Sequence, residues 1–243
     1  MIKVLGICGS PRKGNSQYLL EKALEAAQQV APGEVATELY SIRGKKFAPC
    51  IGCSRCGEKQ GECIFQDDFQ ELREKWLEAD AIIYSVPVYH MGIPAQLKAF
   101  IDRLGNSLFG RYAGLFEGEA TLPKSMKVVG AIAQGCHLFS GQEHTITDLI
   151  NHALVMGCVP VTGDMWEAYI GAAAWTYNEG GRNVLESKEN AGSLDMRVAL
   201  RGAATIGRRA AELAMIIKAG GQALSERLKQ DPIYRPFLDR LQG

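Results

Sequence analysis

Four of the seven cysteines lie within fourteen residues, in the spacing Cys50-x2-Cys53-x2-Cys56-x6-Cys63. Thiolates at two-residue gaps can turn toward one soft metal centre, and repeated short steps are typical of cysteines that hold a four-iron, four-sulfur ([4Fe-4S]) cluster. The last gap is longer than in ferredoxins, and no proline follows it. A zinc site more often has two separate cysteine pairs a dozen or more residues apart. The run therefore favours a [4Fe-4S] cluster, with free or reversibly oxidised thiols and then zinc as alternatives.

The remaining cysteines, Cys8, Cys136 and Cys158, stand apart from this run in apolar or glycine-containing surroundings. A lone cysteine in such a setting is more often a small buried hydrophobic residue than a reactive one. We therefore predict that all three are structural.

A second chemical signal is the loop Gly9-Ser10-Pro11-Arg12-Lys13-Gly14-Asn15-Ser16, which joins an apolar run to a helical pattern. A strand, a glycine-bearing loop and a helix N-terminus together form an anion site, because free backbone N–H groups and the helix dipole converge there. The glycine spacing resembles a triphosphate-binding loop, but the lysine that such a loop requires is replaced by asparagine. We predict a site for one phosphate group, held by Ser10, Arg12, Asn15 and Ser16, with a capped turn that binds nothing as the alternative.

Two further loops are placed to complete a site. The third apolar run ends in a proline-stiffened loop that could border a planar ring, and its candidate residues are Pro87, Val88, Tyr89, His90, Met91 and Gly92. Tyr89 could stack on the ring or fill the core. His90 is predicted to make a local hydrogen bond rather than to act as a catalyst, since no carboxylate partner is evident near it in sequence. Gln134 and Gly135 begin a third loop, which continues through Cys136 and His137 and is predicted to form another wall.

These loops must be positioned by the alternation of β-rich runs and helical patterns, which predicts a parallel sheet with helices on both faces. Predicted strands cover residues 2–8, 35–40, 81–86, 127–133 and 159–163, and predicted helices cover residues 16–31, 68–79, 95–104, 143–156 and 194–219. We expect a flavodoxin-like, doubly wound α/β domain whose five strands have the order 2-1-3-4-5. In that order ligands bind between strands one and three, where the first two loops meet.

The chain is predicted to form one domain over residues 1–219, with the cysteine-rich loop 48–66 inserted in it. Gly220 and Gly221 are predicted to break the long helix, which leaves residues 220–243 as an amphipathic tail. The helix over 68–79 is expected to be capped by Asp67 and Asp68, because carboxylates favour a helix N-terminus.

Composition narrows the class of function. The 27 basic and 27 acidic residues give a formal net charge of zero, so bulk electrostatics favour neither nucleic acid nor an anionic membrane as a partner. The sequence shows neither a signal peptide nor a membrane-spanning run, which predicts a cytoplasmic protein. In a reducing compartment seven cysteines favour metal or redox chemistry over disulfides.

The quoted motifs resemble one family. The Gly-Ser-Pro-Arg-x-Gly-Asn-Ser loop, the Ser-x-Pro-Val-Tyr segment that leads into Leu97-Lys98-x3-Asp102-Arg103, and the Gly-Gln-Glu-x-Thr run from Gly141 are similar to the flavodoxin-like, NAD(P)H-dependent FMN reductases. The resemblance covers about residues 1–165. The cysteine run followed by Asp67-Asp68 resembles the iron-sulfur flavoprotein branch, whose four cysteines hold a [4Fe-4S] cluster beside FMN. Residues 169–193 and the tail depart from the family pattern.

The resemblance implies an FMN-dependent oxidoreductase that takes electrons from NAD(P)H and passes them to a small-molecule or protein acceptor. FMN would be bound by the three loops, and a cluster on Cys50, Cys53, Cys56 and Cys63 would relay single electrons. The family also implies a homodimer or homotetramer, in which the cysteine loop of one subunit reaches the flavin of its neighbour. The alternatives are a flavin-bearing electron carrier or redox-sensing module without its own nicotinamide-dependent turnover, and a zinc-stabilised nucleotide-binding protein.

Overall fold

The computed structural model of the protein describes residues 1–115 and 121–241. The described strands are β1 (Ile2–Cys8), β2 (Val35–Ser41), β3 (Ala81–Pro87), β4 (Val128–Gly135), β5 (Val159–Pro160) and β6 (Ala172–Trp175). They form one parallel sheet in the order β2-β1-β3-β4-β5, and β6 also pairs with β4. The predicted order 2-1-3-4-5 and the flavodoxin-like fold are confirmed.

The helices follow the strands in alternation. They are α1 (Asn15–Gln28), α2 (Arg55–Glu58), α3 (Phe69–Glu78), α4 (Ala95–Tyr112), α5 (Gln142–Val155), α6 (Val184–Asn190), α7 (Leu194–Ala223), α8 (Ser225–Leu228) and α9 (Arg235–Leu241). The predicted helix over 16–31 ends three residues earlier, and the helix predicted for 95–104 runs on to Tyr112. The added turns of α4 carry the surface against which the cysteine loop packs.

A hydrophobic core lies on each face of the sheet. Along β1, Val4 and Cys8 face the core that α1 and α7 cover, whereas Leu5 and Ile7 face the core that α3, α4 and α5 cover. Both faces of a doubly wound sheet are buried, so the inner strand β3 is buried at every position, whereas the edge strand β2 is mostly only half-buried. The 30-residue helix α7 spans the first face as one continuous element.

The fifth predicted strand, over residues 159–163, is wrong in extent. Only Val159–Pro160 pairs with the start of β4, and the end of β4 pairs instead with β6. Residues 161–171 leave the sheet edge between the two pairings and include a 3-10 turn at Trp166–Ala168. Part of the segment 169–193, which departs from the family pattern, is therefore a sheet strand, and α6 lies within it as well.

The break predicted at Gly220 and Gly221 is also wrong, since α7 continues to Ala223. Gly221 packs against Phe237 of α9, and a Cβ atom at this glycine would stand 2.3 Å from the Phe237 ring. Helix α9 is also bonded to the segments that enter β3 and β4, because Arg240 donates to Asp80 Oδ1 at 3.2 Å and to Ser125 O at 2.7 Å. Residues 220–241 are thus packed against the domain.

The described helices include none that is both long enough and apolar enough to span a membrane.

Candidate cofactor site

The loop after β1 presents an open helix N-terminus. Within the described residues no side chain caps α1, and its first turn carries no acidic residue, so its free N–H groups and positive dipole end are not compensated. Ser10 and Ser16 are buried, whereas Arg12 and Lys13 are exposed. The Ser10 hydroxyl donates to Arg12 O at 2.8 Å, which closes the loop on itself. This arrangement suits a phosphate group.

Asn15 has a different role from the one its position suggests. Its side-chain amide donates to Gly181 O at 3.0 Å, and its Oδ1 accepts from Leu185 N at 3.1 Å. The Asn15 side chain therefore holds the start of α6 and the segment before it against the loop after β1, residues 9–16, which we call the phosphate loop. What Asn15 can offer to an anion is the backbone N–H at the start of α1.

The loop after β3 forms a tight hairpin. Tyr89 N donates to Gly92 O at 3.0 Å and Gly92 N to Tyr89 O at 3.1 Å, while His90 and Met91 between them have φ values of 48° and 71°. Non-glycine residues with positive φ are uncommon, and they cluster at binding sites. Tyr89 is 45% exposed, so it does not fill the core and is free to contact a ligand. Val88 N donates to Gln134 O at 2.8 Å and joins this loop to the third one.

The loop after β4 is braced from within. Ser140 Oγ donates to His137 O at 2.6 Å, and Gln142 Nε2 donates to the same carbonyl at 2.7 Å. Gly141, with φ 98°, directly precedes α5 and packs against the loop after β3, residues 87–92, which we call the ring loop. A Cβ atom at Gly141 would lie 2.9 Å from Met91 Cα. Gln134 and Gly135 lie at the end of β4 beside this loop. All three loops thus meet at the carboxyl edge of β1, β3 and β4, where such a fold binds its ligand.

An apolar cavity of about 630 Å³ opens beside these loops. Its volume is within the range of pockets that bind small molecules. It is lined by side chains of the second and third loops and of residues 166–175, among them Met91, Phe139, Trp166, Tyr169 and Trp175. Phe139 is 84% exposed and Trp166 is 91% exposed. Large apolar side chains with this exposure are unusual on a monomer surface and mark a contact site.

The four cysteines of the run line one cavity against α4. Cys50, Cys53, Cys56 and Cys63 share this cavity with Arg103, Asn106 and Ser107 of α4. Cys50 and Cys53 are exposed, Cys56 and Cys63 are half-buried, and all four are free thiols. The short helix α2 lies within the run, preceded by Ser54 in the left-handed region. The structure therefore brings the predicted ligands together around a single space.

Arg103 is the main anchor of the cysteine loop. Its Nη1 donates to both carboxylate oxygens of Asp67, at 2.8 and 2.7 Å, and its Nη2 donates to Phe65 O at 2.9 Å. The guanidinium also stacks over the Phe69 ring at 4.2 Å. Burial alone would raise the pKa of Asp67, but hydrogen bonds from Ala48 N–H and from Arg103 hold it below its ordinary value. Both ends of the loop are thus fixed to one buried ion pair.

Arg73 of α3 is a second anchor. Its Nη1 donates to Gly61 O at 3.1 Å, and Ser107 Oγ donates to the same carbonyl at 2.6 Å. Gly61 has φ 91°, and a Cβ atom there would lie 2.6 Å from Ser107 O. Only glycine fits this position, because it combines a left-handed backbone with close contact to α4.

The predicted capping of α3 is partly wrong. Asp68 makes no side-chain hydrogen bond to the helix. Its Oδ2 instead accepts from Lys46 N at 2.7 Å, and Asp67 Oδ1 accepts from Phe69 N at 3.0 Å. Each carboxylate therefore accepts a hydrogen bond from the segment that enters the cysteine loop, Asp68 from Lys46 N and Asp67 from Ala48 N, and capping by Asp67 is the smaller part of its role.

The four cysteines of the run differ in how well they suit a single metal ion and a cluster. Among the described residues, no three cysteine, histidine or carboxylate side chains converge as they would around a single ion. A [4Fe-4S] cluster needs thiolates that are farther apart than the ligands of one ion, because each thiolate binds a different iron at the edge of a larger group. Arg103 Nε is buried without a hydrogen-bond acceptor in the described residues. A sulfide-bearing group in the cavity would add acceptors beside this arginine, so the residues present fit a cluster better than one zinc ion.

The lone cysteines divide into two kinds. Burial raises the pKa of both Cys8 and Cys158 to about 11, which makes them poor nucleophiles, as predicted. The same prediction is wrong for Cys136, which is exposed in the third loop. Cys136 directly follows the last residue of β4, and its position in the loop predicted after that strand already indicated exposure.

Some residues of the site were not predicted as such. Arg73, Asn106 and Ser107 support the cysteine loop through contacts that are distant in sequence. The only available signal was the pair of carboxylates after the cysteine run, which could have been interpreted as partners for arginines. The segment before α6 gave no signal for its contact with Asn15.

Comparison with known proteins agrees with this geometry. The family model of the NADPH-dependent FMN reductases matches residues 2–172. An iron-sulfur flavoprotein of Methanocaldococcus jannaschii is 35% identical over 89% of this chain and all of its own length. An iron-sulfur flavoprotein of Archaeoglobus fulgidus is also 35% identical, over 71% of this chain and 82% of its own length. The solved structure of RosB, with a bound 8-demethyl-8-formylriboflavin-5'-phosphate intermediate, aligns with a TM-score of 0.59 and 16% identity over 93% of this chain and 88% of that one.

The fold and the three loops define a flavodoxin-like FMN-dependent oxidoreductase. The chain belongs to the NADPH-dependent FMN reductase family, and the relatives named here place it with the iron-sulfur flavoproteins.

Proposed function

We propose that this FMN-dependent oxidoreductase takes electron pairs from NAD(P)H and passes them singly through a [4Fe-4S] cluster held by Cys50, Cys53, Cys56 and Cys63. The observation that carries the proposal is that these four thiols line one cavity against α4. Helix α4 begins at Ala95, directly after the ring loop, so one rigid element connects the flavin loops to the cysteine cavity.

Bound FMN would supply a two-electron centre that can also give up electrons one at a time, while the protein binds and orients it. Ser10, Ser16, Arg12 and the N-terminus of α1 would hold the phosphate. Pro87, Val88, Tyr89, His90, Met91 and Gly92 would border the ring on one side, and Gln134 and Gly135 on another. The hairpin and the braced third loop need little rearrangement to do so, because their hydrogen bonds are already made.

A bound cluster would supply one-electron transfer, with a potential set by its thiolates, its hydrogen bonds and its exposure to solvent. The shape of the cavity is set by hydrogen bonds from two arginines to the cysteine loop. Arg103 fixes residues 48, 65 and 67, and Arg73 fixes residues 61 and 62. This preorganisation of the loop around the four thiols supports a cluster as the resident group.

We also propose that the protein acts as a homodimer or homotetramer in the cytoplasm. Exposed apolar side chains next to the ring loop, including Met91, Phe139 and Trp166, support a subunit contact there. A second subunit would cover the open edge of the flavin, and a chain with seven cysteines that serve metal or redox chemistry suits a reducing compartment. The electron acceptor would be a small molecule or a protein that reaches this edge.

The deciding experiment is to purify the protein without oxygen and to measure its visible spectrum, flavin, iron and acid-labile sulfide. We expect one FMN and about four irons per chain. FMN without iron would overturn the cluster and leave the FMN-dependent activity standing. Anaerobic mixing with NADH or NADPH should then bleach the flavin rapidly, and reduction only by a one-electron donor would favour the electron-carrier alternative.

A further inference from the structure

The cysteine cavity has one hydrogen-bond donor aimed at a ligand sulfur. Asn106 Nδ2 lies 3.6 Å from Cys50 Sγ, within hydrogen-bond range for sulfur. Asn106 is one helical turn beyond Arg103 on α4, and both line the cavity. Cys50 is an exposed member of the run, so this contact is not a consequence of tight packing.

The orientation of the Asn106 amide is fixed by its own helix. The same Nδ2 donates to Asp102 O at 3.0 Å. A side-chain amide nitrogen carries two hydrogens, so one can bond the carbonyl while the other points to the sulfur. The alternative orientation would place the amide oxygen against two acceptors, the Asp102 carbonyl and the thiolate.

We propose that Asn106 is a positioning residue that donates an N–H···S hydrogen bond to the Cys50 thiolate and thereby raises the reduction potential of the cluster and slows its loss. The inference rests on the proposed cluster. Reduction adds negative charge to the cluster and its sulfurs, so a donor at a sulfur stabilises the reduced form more than the oxidised form. Outer partners of this kind typically change metal affinity by about ten- to a hundredfold.

The test uses a graded series in the anaerobically purified holoprotein. Asn106→Leu removes the donor at similar size, and Asn106→Asp replaces it with a negative acceptor. The controls are Asn151→Leu and Asn151→Asp, at an exposed position of α5 away from the cavity. We expect the cluster potential, measured by titration with EPR detection, to fall from wild type to Asn106→Leu and further to Asn106→Asp. Iron release to a chelator should accelerate about tenfold for Asn106→Leu.

The control variants should match wild type in potential and in iron release, and the FMN content and melting temperature should stay unchanged in all four variants. Equal potentials and release rates for the Asn106 variants and their Asn151 controls, with iron present, would overturn the role of Asn106 while leaving the cluster in place. A wild-type protein that holds no iron after anaerobic purification and reconstitution would instead remove the cluster, and this inference with it.

Discussion

The flavin loops and the cysteine loop are held in place in opposite ways. The loops at the carboxyl edge of the sheet are closed mainly by contacts between near neighbours, such as Ser10 with Arg12 and Tyr89 with Gly92. The cysteine loop is closed by long side chains from the helices α3 and α4, chiefly by Arg103 of α4, which lies 36 residues beyond its partner Asp67. One region is therefore specified locally by its sequence, and the other by tertiary contacts.

The flavin loops and the cysteine loop should respond differently to single substitutions. A short-range loop keeps its shape as long as the strand before it and the helix after it persist. A loop fixed through a few buried charges loses its position when one of them is removed, because the partner is left buried and unpaired. Single substitutions should therefore separate the cysteine cavity from the flavin site.

The largest effect is expected for Arg103→Met. The guanidinium is 1% exposed and pairs with Asp67, which is 13% exposed, so its loss should destabilise the protein by about 3–5 kcal/mol. Urea denaturation measures this change, and iron analysis should show loss of the cluster. Lys229→Met removes one side of an exposed ion pair with Glu226 and should cost no more than about 0.5 kcal/mol. Equal destabilisation by the two variants would contradict the proposed role of the anchor.

Acid should affect the hydrophobic core under α5 and the cysteine loop at different pH. His152 of α5 contacts the Tyr84 hydroxyl at 3.2 Å, and burial lowers the pKa of this histidine to about 4. The unfolded chain binds its proton at a higher pH than the folded chain does, so stability should fall by roughly 3 kcal/mol as the pH drops from about 6.5 to about 4. Hydrogen bonds from Ala48 N–H and from Arg103 hold the pKa of Asp67 below its ordinary value of about 4, so the stability that this group contributes is lost only below about pH 4.

The measurement is the urea midpoint as a function of pH. We expect His152→Gln to flatten the curve between pH 6.5 and 4 and Asp67→Asn to flatten it only below about pH 4. If His152→Gln and wild type lose stability with the same slope over the upper range, then His152 is not the group that titrates there.

Gly141→Ala tests the contact between two flavin loops. The new Cβ atom would meet Met91 Cα at 2.9 Å on a backbone with φ 98°, so both strain and displacement of the ring loop are expected. We expect a loss of about 2 kcal/mol in stability and weaker FMN binding, measured by flavin fluorescence. Gly44→Ala is the matched control, with φ 76° and no atom within 4 Å of the new Cβ, and it should show backbone strain alone. Unchanged FMN affinity in Gly141→Ala would contradict the contact.

The same contrast explains what could be predicted from the sequence. The strands, the two core faces and the position of the flavin loops follow from apolar runs and from strand-loop-helix junctions, which are local signals. The strand order 2-1-3-4-5 follows only from the flavodoxin-like pattern. The Arg103–Asp67 pair joins positions 36 residues apart, and no periodicity reports such a contact. The sixth strand was missed because Ala172–Trp175 is short and rich in alanine, which has little β-propensity.

The interruption at Gly220 and Gly221 was predicted from helix propensity, which tertiary packing overrides here. The small glycine surface accommodates the Phe237 ring, so this stretch of α7 is kept helical by the segment that packs on it. The error therefore has the same origin as the missed anchors: a contact from a distant part of the chain decides a local conformation.

The smallest effect is expected for Ser10→Ala, which tests whether a flavin loop fails locally. The hydroxyl accepts from Arg12 N at 3.3 Å and donates to Arg12 O at 2.8 Å, so its removal loosens the phosphate loop while β1 and α1 stay in place. A loss of about 1 kcal/mol, roughly fivefold in Kd for FMN, is expected from one such hydrogen-bonded group. Ser225→Ala at the start of α8 is the control and should bind FMN as wild type does. Iron content should stay unchanged in Ser10→Ala, because the hydrogen bonds that Ser10 makes within the described part of the chain go to Arg12 and not to the cysteine cavity. Iron loss would show that the two regions are coupled and that the local description of the flavin loops is wrong.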